Sequence, residues 1–262
     1  MMDAVIVLIL ALTLVVITVK KAAFTLPAAI VAAAILMIAK FSADDAGIYI
    51  VLAAYGAIFI VDVIVDKKSE RITGQINKKS GARGVSQVLV NASAAIVALV
   101  LKMIFEGEEW VVVYAVALTE CLADSLASDV GVLSKNDPID LCRFRRIKRG
   151  LSGGVSLLGT LAALSGCVFM SLFTIIFFGF VPRYFLAILL IPMLGVTVDS
   201  VLGSLLQAKF TCVVCGKLTE KPVHCDTPCE LSGGVRLITN NAVNLISNVI
   251  TAAVAVLVLI IL

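Results

Sequence analysis

The chain has 262 residues, of which 61% are hydrophobic and 15% are charged, and its formal net charge at neutral pH is +3. A soluble domain is roughly half apolar and a quarter charged, and a soluble fold of this length could not bury so much apolar surface. The composition therefore excludes a water-soluble globular protein. It predicts an all-α, polytopic transmembrane helical bundle of about seven to eight spans.

The spans can be placed in chain order, since a helix that crosses a bilayer needs about 20 mostly apolar residues. Eight segments fit this requirement: 3–19, 22–39, 48–65, 84–105, 110–133, 151–181, 183–206 and 240–262. The first two are short and are joined only by Lys20 and Lys21, whereas the sixth is long enough to be tilted or broken at its glycines. Residues 1–262 thus form one predicted integral membrane domain, in which residues 1–66 supply accessory spans.

Lysine and arginine are distributed unequally between the two ends of these spans. Four segments on one side, 20–21, 66–83, 134–149 and 207–239, carry 18 of the 21 basic residues. Basic residues accumulate on the cytoplasmic side of membrane proteins. We therefore predict a protein of the cell membrane in which these segments face the cytoplasm and both termini lie outside.

Polar side chains recur at the helical spacing of i, i+4 and i+8 on three of the spans, and the last span opens with asparagines. They are Arg83, Gln87 and Asn91 on the fourth span; Glu120, Asp124 and Ser128 on the fifth, with Asp129 beside them; Asp199, Gly203 and Gln207 on the seventh; and Asn240, Asn241 and Asn244 on the eighth. Each set lies in the half of its span nearer the basic segments. Because ionisable groups are costly inside a bilayer and usually mark function, we expect one polar active-site cavity at the cytoplasmic leaflet.

The carboxylates of this expected cavity suit a divalent metal. Asp124, Asp129 and Asp199 offer hard oxygen ligands, the kind that bind Mg²⁺ through one or two carboxylates together with substrate phosphates. Glu120, one helical turn deeper than Asp124, is a further metal ligand, a base or a structural partner for Arg83. These residue types predict phosphoryl or nucleotidyl transfer.

A run of small residues opens the sixth span and contains Ser152, Gly153, Gly154, Ser156, Gly159 and Thr160. Small residues at a helix start let backbone N–H groups approach a phosphate at the positive end of the helix. Close packing of helices is the alternative role of these glycines. The basic cluster that precedes them, residues 143–149, either neutralises phosphate charge or anchors the loop on anionic lipid.

Five soft metal ligands follow the seventh span in the loop 208–236: Cys212, Cys215, His224, Cys225 and Cys229. Two close-spaced pairs of such ligands, separated by a short turn, can wrap one Zn²⁺ ion tetrahedrally. A structural zinc site and a set of redox-active or unpaired cysteines are the two interpretations that remain. A catalytic zinc is not expected, because four or five protein ligands leave no open position.

Five motifs in chain order resemble one family. They are Arg83-Gly84-x-x-Gln87-Val88-x-x-Asn91, Ala123-Asp124-x-x-Ala127-Ser128-Asp129-x-Gly131, Ser152-Gly153-Gly154-Val155-Ser156-x-x-Gly159-Thr160, Asp199-Ser200-x-Leu202-Gly203-x-x-x-Gln207 and Asn240-Asn241-Ala242-Val243-Asn244. Over a core of about residues 80–250 the chain is thereby similar to the transmembrane-protein-19-like family of integral membrane proteins, long catalogued as a domain of unknown function. That family usually has threonine and glutamate where this chain has Ser125 and Asp129, which keeps the chemical type.

The resemblance implies an activity. The best understood plant members of the family are phytyl-phosphate kinases, which use a nucleoside triphosphate to turn a prenyl monophosphate into a diphosphate. The acidic motif and the Gly/Ser/Thr segment are also similar, more distantly, to those of dolichol kinase and CDP-diacylglycerol synthase, which are CTP-using, Mg²⁺-dependent membrane enzymes. The chain is thus expected to be a Mg²⁺-dependent phosphotransferase that acts on a prenyl phosphate, with CTP or ATP as the donor.

The resemblance also implies roles for the motifs. Mg²⁺ would be held by Asp124, Asp129 and Asp199, and phosphates would be held by the run 152–160. Catalytic roles would fall to Asp124, Glu120, Asp199 and Arg83, and orientation of donor and acceptor to Gln87, Asn91, Gln207, Asn241 and Asn244. The prenyl chain would lie among apolar helices and membrane lipids. Nucleic acid is not an expected partner, and the oligomeric state is left open.

Two other functions use the same residue types. A cytidylyltransferase that forms a CDP-lipid would need the same metal and phosphate groups, so only the product separates it from a kinase. A transporter of an anionic lipid or ion would also use intramembrane acids and asparagines. It predicts polar residues in both halves of the spans, whereas the outer halves of spans four to eight are nearly devoid of them.

Overall fold

The computed structural model describes residues 4–73, 82–179 and 181–261 of the chain. Within these ranges the polypeptide forms the helices α1 (Ala4–Lys20), α2 (Leu26–Thr73), α3 (Val85–Phe105), α4 (Glu108–Gly131), α5 (Leu157–Phe178), α6 (Pro182–Leu205) and α7 (Asn240–Ile261). The helices α2 to α7 are long and apolar enough to cross a bilayer, and α1 is a shorter apolar helix. The prediction of an all-α, polytopic membrane fold is confirmed.

The helix α2 consists of two membrane segments that run in opposite directions. Its backbone leaves helical geometry at residues 43–44. Just before α2, the N–H of Thr25 donates to the carbonyl oxygen of Arg83 over 3.1 Å, and far along α2 Asp62 forms an ion pair of 2.9 Å with the side chain of the same Arg83. The chain therefore returns to the end of the bundle from which α2 started, in agreement with the separate second and third spans predicted from the sequence.

The helix α5 begins at Leu157, six residues later than the span predicted at 151–181. Gly153 has a φ of +84°, which side chains rarely adopt, and Gly154–Val155 form a short strand. Ser156 then caps the helix, because its Oγ accepts a hydrogen bond from an N–H of the first turn. The predicted start was wrong because the small residues here serve a turn and a strand.

The helix α4 lies at the centre of the bundle, in contact with α2, α3, α5, α6 and α7. In an apolar stretch of 18 residues within α4, 83% of the residues are buried, against 28–33% in the corresponding stretches of the other five candidate spans of the described ranges. The first half of α4 is packed with buried side chains from Val111 to Leu118. Glu120, in the second half of α4, is consequently enclosed by protein, whereas Glu108 and Glu109 in the first turn are exposed.

The loops and short strands gather at one end of the bundle, which we call the polar end. It consists of residues 20–25, 82–84, 132–156 and 206–239. Its antiparallel strands are β1 (Ile139–Asp140) between β2 (Arg145–Arg146) and β3 (Gly154–Val155), β4 (Lys209–Thr211) between β5 (Leu218–Thr219) and β8 (Glu230–Gly233), and the pair β6 (Val223–His224) and β7 (Thr227–Pro228). These strands were not predicted, because each is only two to four residues long.

Hydrogen bonds join these connections to one another and to the helix ends. They are Ser204 to Asp140 (2.6 Å), the N–H of Ser152 to Glu220 (2.6 Å) and Asn241 to Ser86 (3.3 Å). The basic segments that were predicted to share one side of the membrane thus share one end of the bundle. Residues 74–81, which belong to one of these segments, lie outside the described residues.

Candidate active site

A small cavity, which we call the acidic cavity, lies between α3, α4, α6 and α7 in the half of the bundle nearer the polar end. Its volume is about 10 Å³, room for roughly one water molecule. Its lining is almost entirely polar and consists of Asn91, Glu120, Cys121, Asp124, Asp199, Asn244, Ser247 and Asn248. The polar faces of four spans therefore meet, as the helical spacing of their side chains predicts.

Two carboxylates of the acidic cavity share one hydroxyl group. Ser247 Oγ lies 3.1 Å from Oε1 of Glu120 and 3.5 Å from Oδ2 of Asp199. Gly195 on α6 faces this group so closely that a methyl group there would overlap the Glu120 side chain and the hydroxyl of Thr251. The glycine therefore lets α6 and α7 pack against α4 at the level of the carboxylates.

A chain of asparagines leads from the acidic cavity toward the polar end. Nδ2 of Asn244 donates to Oδ1 of Asn91 over 3.3 Å, and Nδ2 of Asn240 donates to Oδ1 of Asn244 over 3.2 Å. Asn91 and Asn244 line the acidic cavity, whereas Asn240 lines a second and larger cavity. The three side chains therefore connect the two cavities.

The second cavity, which we call the large cavity, lies between the start of α7 and the loop 208–236. Its volume is about 720 Å³, within the range of about 300–1,000 Å³ that is typical of small-molecule sites. Apolar side chains and polar groups are mixed in its lining, which consists of Gln207, Ala208, Phe210, Glu220, Pro222, Val223, Pro228, Cys229, Arg236, Thr239, Asn240 and Asn241. The volume of this cavity and its mixed lining are compatible with a ligand of the size of a nucleotide.

Glu220 organises one wall of the large cavity. Its carboxylate accepts a hydrogen bond from Nε2 of Gln207 over 2.8 Å and another from the N–H of Ser152 over 2.6 Å. Gln207 is 2% exposed, and its Oε1 has no hydrogen-bond partner in the described part of the chain. Since buried polar atoms are nearly always paired, this oxygen is placed to accept a hydrogen bond from a ligand.

The side-chain oxygen atoms that line the acidic cavity are suitable ligands for a Mg²⁺ ion. They are carboxylate and amide oxygens, the ligands that Mg²⁺ prefers, and Oδ1 of the buried Asn248 has no partner among the described residues. The carboxylate oxygens of Glu120, Asp124 and Asp199 do not all lie within 4.8 Å of one another. Among the described residues, three or more histidine, cysteine or acidic side chains come this close only in the loop 208–236. A bound Mg²⁺ would therefore rest on one or two carboxylates and complete its shell with phosphate and water oxygens.

Three residues predicted for the site lie elsewhere. Asp129 follows Asp124 by five residues on α4, about 140° further round the helix, and does not line the acidic cavity. Arg83 pairs with Asp62. Oε1 of Gln87 accepts the N–H of the residue that precedes α3 and so caps that helix. Their roles in binding metal, phosphate or substrate stay predictions.

The run 152–160 is engaged in packing and capping. A Cβ atom at Gly159 would lie 2.6 Å from the carbonyl oxygen of Ala127 on α4, and one at Gly153 would lie 2.5 Å from the backbone of Ser204 on α6. Both glycines therefore permit helices and loops to approach closely. Phosphate binding by this run stays a prediction.

A buried carboxylate that the sequence analysis did not select ties the loop 132–156 to α6. Asp140 is 1% exposed and accepts hydrogen bonds from Ser204 Oγ (2.6 Å) and from the N–H groups of Cys142 (3.0 Å) and Arg143 (3.1 Å). Burial acts to raise the pKa of this carboxyl, but the hydrogen bonds and the Arg143 charge together outweigh it and hold the pKa below its usual value. Burial also lowers the pKa of the neighbouring Lys209. Asp140 thus serves as an ionised anchor of the polar end.

Among the other residues that line the cavities, Ser247 and Asn248 belong to the polar face of the last span but were given no role from the sequence, and Glu220 was not considered. Ser247 and Asn248 follow Asn244 by three and four residues, so the helical spacing of the last span carried a signal for them. Glu220 had no such signal, because it lies in an irregular loop. Its place in the wall of the large cavity arises only from folding.

The loop 208–236 gathers four of its five predicted metal ligands. The ligand atoms of Cys212, Cys215, His224 and Cys225 lie within 4.8 Å of one another, while Cys229 is outside this set. A hydrogen bond from the backbone N–H of Cys215 is the main cause that lowers the pKa of the Cys212 thiol to about 6. A thiolate at this position suits a metal ion.

Comparison with known proteins places the chain among membrane proteins. The model of a family described as integral membrane protein DUF92 matches residues 9–252. The chain is 28% identical over 232 residues to Protein PGR of Arabidopsis thaliana, which covers 76% of this chain and 79% of that protein. It is 25% identical over 152 residues to an uncharacterized membrane protein of Methanocaldococcus jannaschii (58% and 63% covered) and 28% identical over 171 residues to one of Synechocystis (62% and 64% covered). No solved structure gives a significant match.

Proposed function

The chain belongs to the integral membrane protein DUF92 family, and we propose that it is a membrane-embedded prenyl-phosphate kinase. It would transfer a phosphoryl group from a nucleoside triphosphate, CTP or ATP, to a prenyl monophosphate. The resemblance of its motifs to transmembrane-protein-19-like proteins and phytyl-phosphate kinases supports this activity. The observation that carries the proposal is an acidic cavity inside the bundle that asparagines connect to a nucleotide-sized cavity at the polar end.

The large cavity would bind the nucleoside triphosphate. Nε2 of Gln207 already donates to Glu220, which leaves Oε1 to accept a hydrogen bond from the exocyclic amino group of cytosine or adenine. Arg236 lines the same cavity and offers positive charge to the phosphates. The start of α7 at Asn240 adds the positive end of a helix dipole.

The triphosphate would reach the acidic cavity along the asparagine chain, whose amide N–H groups orient phosphate oxygens. Asp124 and Asp199 would hold Mg²⁺ with help from the amide oxygen of Asn248. When bound, the ion would neutralise charge on the transferred phosphoryl group and on the leaving group. Ser247 would keep the carboxylates of Glu120 and Asp199 in place through its hydroxyl group.

The acceptor would enter sideways from the lipid. Leu89 on α3 and Leu245 on α7 are exposed apolar side chains, close in sequence to Asn91 and Asn244 of the acidic cavity. A prenyl chain can therefore lie against these helices while its phosphate reaches the cavity. Because the acceptor phosphate is already ionised, the transfer needs no strong general base. This agrees with the position of the single histidine, His224, in the loop 208–236.

The packing of α4 favours an enzyme over a transporter. A transported ion or lipid headgroup needs a polar path through both halves of the bundle. In the outer half of α4, the residues from Val112 to Leu118 are at most 3% exposed and apolar. The acidic cavity therefore opens toward the polar end, which we propose faces the cytoplasm because it carries most of the basic residues.

The experiment that tests the proposal is a transfer assay with the purified, detergent-solubilised protein. The protein is mixed with Mg²⁺, CTP or ATP labelled with ³²P at the γ-phosphate, and a panel of prenyl monophosphates. We expect labelled prenyl diphosphate from the wild type and none from Asp124→Asn, a change that keeps the shape of the side chain but removes its charge.

The same assay separates the rival functions. Label that enters a lipid only from the α-phosphate of CTP would identify a cytidylyltransferase. The absence of labelled lipid with every acceptor and both nucleotides would contradict the kinase and the cytidylyltransferase together. Uptake of a labelled prenyl phosphate by vesicles that contain the protein would then point to transport.

A further inference from the structure

The loop 208–236 contains two tight turns that present its cysteines. In the first turn the N–H of Gly216 donates to the carbonyl oxygen of Cys212 over 2.9 Å, and the N–H of Cys212 donates to the carbonyl oxygen of Lys217 over 2.9 Å. Gly216 has a φ of +67°, which glycine adopts at little cost. The turn places Cys212 and Cys215 beside each other.

The second turn is the tip of the β6–β7 hairpin. Cys225 and Asp226 at the tip have φ values of 52° and 54°, the geometry of a two-residue hairpin turn of type I′. Residues with a side chain adopt this left-handed conformation only at a steric cost that glycine avoids. Another interaction must therefore offset the steric cost of this hairpin tip. The tip places Cys225 and His224 close to the cysteines of the first turn.

The distances between the four groups suit one tetrahedral metal ion. Nδ1 of His224 lies 3.5 Å from Sγ of Cys215 and 3.2 Å from Sγ of Cys225. Zn²⁺ binds sulfur at about 2.3 Å and imidazole nitrogen at about 2.1 Å, so tetrahedral ligand atoms lie about 3.6–3.8 Å apart. The sulfur of Cys229 instead lies 3.9 Å from the carbonyl oxygen of Thr227 and outside the set.

We propose that Cys212, Cys215, His224 and Cys225 bind one Zn²⁺ ion. Four protein ligands close the coordination shell, so the ion has a structural role. It ties the two turns together and compensates for the left-handed tip. Zinc is favoured over Mg²⁺ or Ca²⁺, because thiolate and imidazole are soft or borderline ligands whereas those two ions prefer oxygen.

The zinc-bound turns also hold one wall of the large cavity. Pro222, Val223 and Pro228 of the second turn line that cavity, and Glu220 between the two turns fixes Gln207. Loss of zinc would therefore release the wall that is proposed to bind the nucleotide. This consequence rests on the proposed function, but zinc binding itself does not.

The first test is the zinc content of the full-length protein, purified in detergent under reducing conditions and measured by mass spectrometry of its metals. We expect about one zinc ion per chain in the wild type. We expect at least about a fivefold loss in Cys215→Ser and in His224→Ala, since each removes a ligand. The matched controls Cys229→Ser and Cys142→Ser should keep their zinc. A wild type without zinc would overturn the site, and zinc that survives His224→Ala but is lost in Cys229→Ser would overturn the ligand set.

The second test needs no variant and so does not depend on variants that fold. Co²⁺ replaces the metal in the wild-type protein, and its visible and near-ultraviolet spectrum is recorded. We expect the intense bands of a tetrahedral ion with thiolate charge transfer. A weak octahedral spectrum without thiolate bands would overturn the proposal. Neither test uses a nucleotide or a prenyl phosphate, so a failed kinase assay and a failed zinc site give different results.

Discussion

The acidic cavity and the loop 208–236 both gather groups that suit a metal ion, but they do so by opposite means. In the acidic cavity Asn91, Glu120, Asp199 and Ser247 come from four different helices. In the loop the proposed ligands all lie between Cys212 and Cys225, and backbone turns bring them together. The cavity is thus a product of helix packing, whereas the loop is a local structure that a metal would complete.

Because of this difference, the two regions should respond to different kinds of substitution. A change that pushes two helices apart should disrupt the acidic cavity, because its lining comes from four helices. A change of that kind should leave the loop intact, since its turns are closed by their own backbone hydrogen bonds. Glu220 of the loop bonds to Gln207 and to the N–H of Ser152, and Lys209 of the loop donates to the carbonyl oxygen of Ser204 on α6, so side chains connect the loop to the end of the bundle.

The largest effect is expected from a pair of changes on α4. Asp124 lines the acidic cavity and Asp129 does not. We expect Asp124→Asn to lower kcat/KM for prenyl-phosphate phosphorylation by about 10³-fold, and Asp129→Asn to lower it by less than about tenfold. Both variants should keep the thermal unfolding temperature of the wild type. Equal losses of activity would show that Asp129 belongs to the metal site after all.

The second effect is on stability and concerns two helical glycines. A methyl group at Gly195 would overlap Thr251 and Glu120, whereas one at Gly56 meets nothing within 4 Å. We expect Gly195→Ala to reduce the free energy of unfolding by about 1–3 kcal/mol through overpacking. Gly56→Ala should be neutral or slightly stabilising, because alanine favours helices. Thermal unfolding in detergent measures both, and identical unfolding temperatures would contradict the close packing at Gly195.

The third effect tests the connection between the two regions. The substitution Glu220→Gln removes the negative charge of the carboxylate that accepts hydrogen bonds from Gln207 and Ser152. Hydrogen bonds to charged groups contribute about 1.5–3 kcal/mol, so we expect the KM for the nucleotide to rise about tenfold or more. Glu230→Gln changes an exposed residue of the same loop and should leave the KM unaltered. An equal KM in both variants would mean that the loop does not shape the nucleotide site.

The smallest effect depends on pH and concerns the anchor of the polar end. The pKa of Asp140 is held below its usual value by hydrogen bonds that include one from Ser204. A lowered pKa means that the interaction stabilises the fold at pH values above about 4, the unfolded carboxyl value, and that this is lost as the pH falls through the lower folded value.

Ser204→Ala should therefore cost about 1.5 kcal/mol at neutral pH, the lower limit for a hydrogen bond to a charged group, and less as the pH falls below about 4. Ser200→Ala is the matched control, because the Ser200 hydroxyl bonds to its own helix. Thermal unfolding at several pH values measures the difference between the two variants. A cost of Ser204→Ala that does not change with pH would contradict an ionised Asp140.

Much of the helical framework could be predicted because its signals are local. Apolar length predicted the spans, and α7 begins at Asn240 as expected. The spacing of polar residues also predicted that Asp124, Asp199 and Asn244 would meet. The predicted start of α5 was wrong, because the turn before it depends on the positive φ of Gly153 and not on a change in hydrophobicity.

The candidate site was predicted less completely, for two physical reasons. Glycines that admit a phosphate and glycines that admit a neighbouring helix look the same in a sequence, because both only need a missing side chain. Packing is the role that the structure gives to Gly153 and Gly159. Charge alone likewise did not identify the partner of Arg83, which is Asp62 of α2.

By itself, the sequence determined that this protein resides in a membrane, where its spans lie and which half of them is polar. These properties depend on transfer free energies and on the period of the helix, which act over a few residues. Only the tertiary structure decided that Arg83 pairs with Asp62, that Ser247 lies between Glu120 and Asp199, and that Glu220 bonds to Gln207 and Ser152. Such contacts join segments far apart in the chain, and they depend on how all the side chains of the bundle pack together.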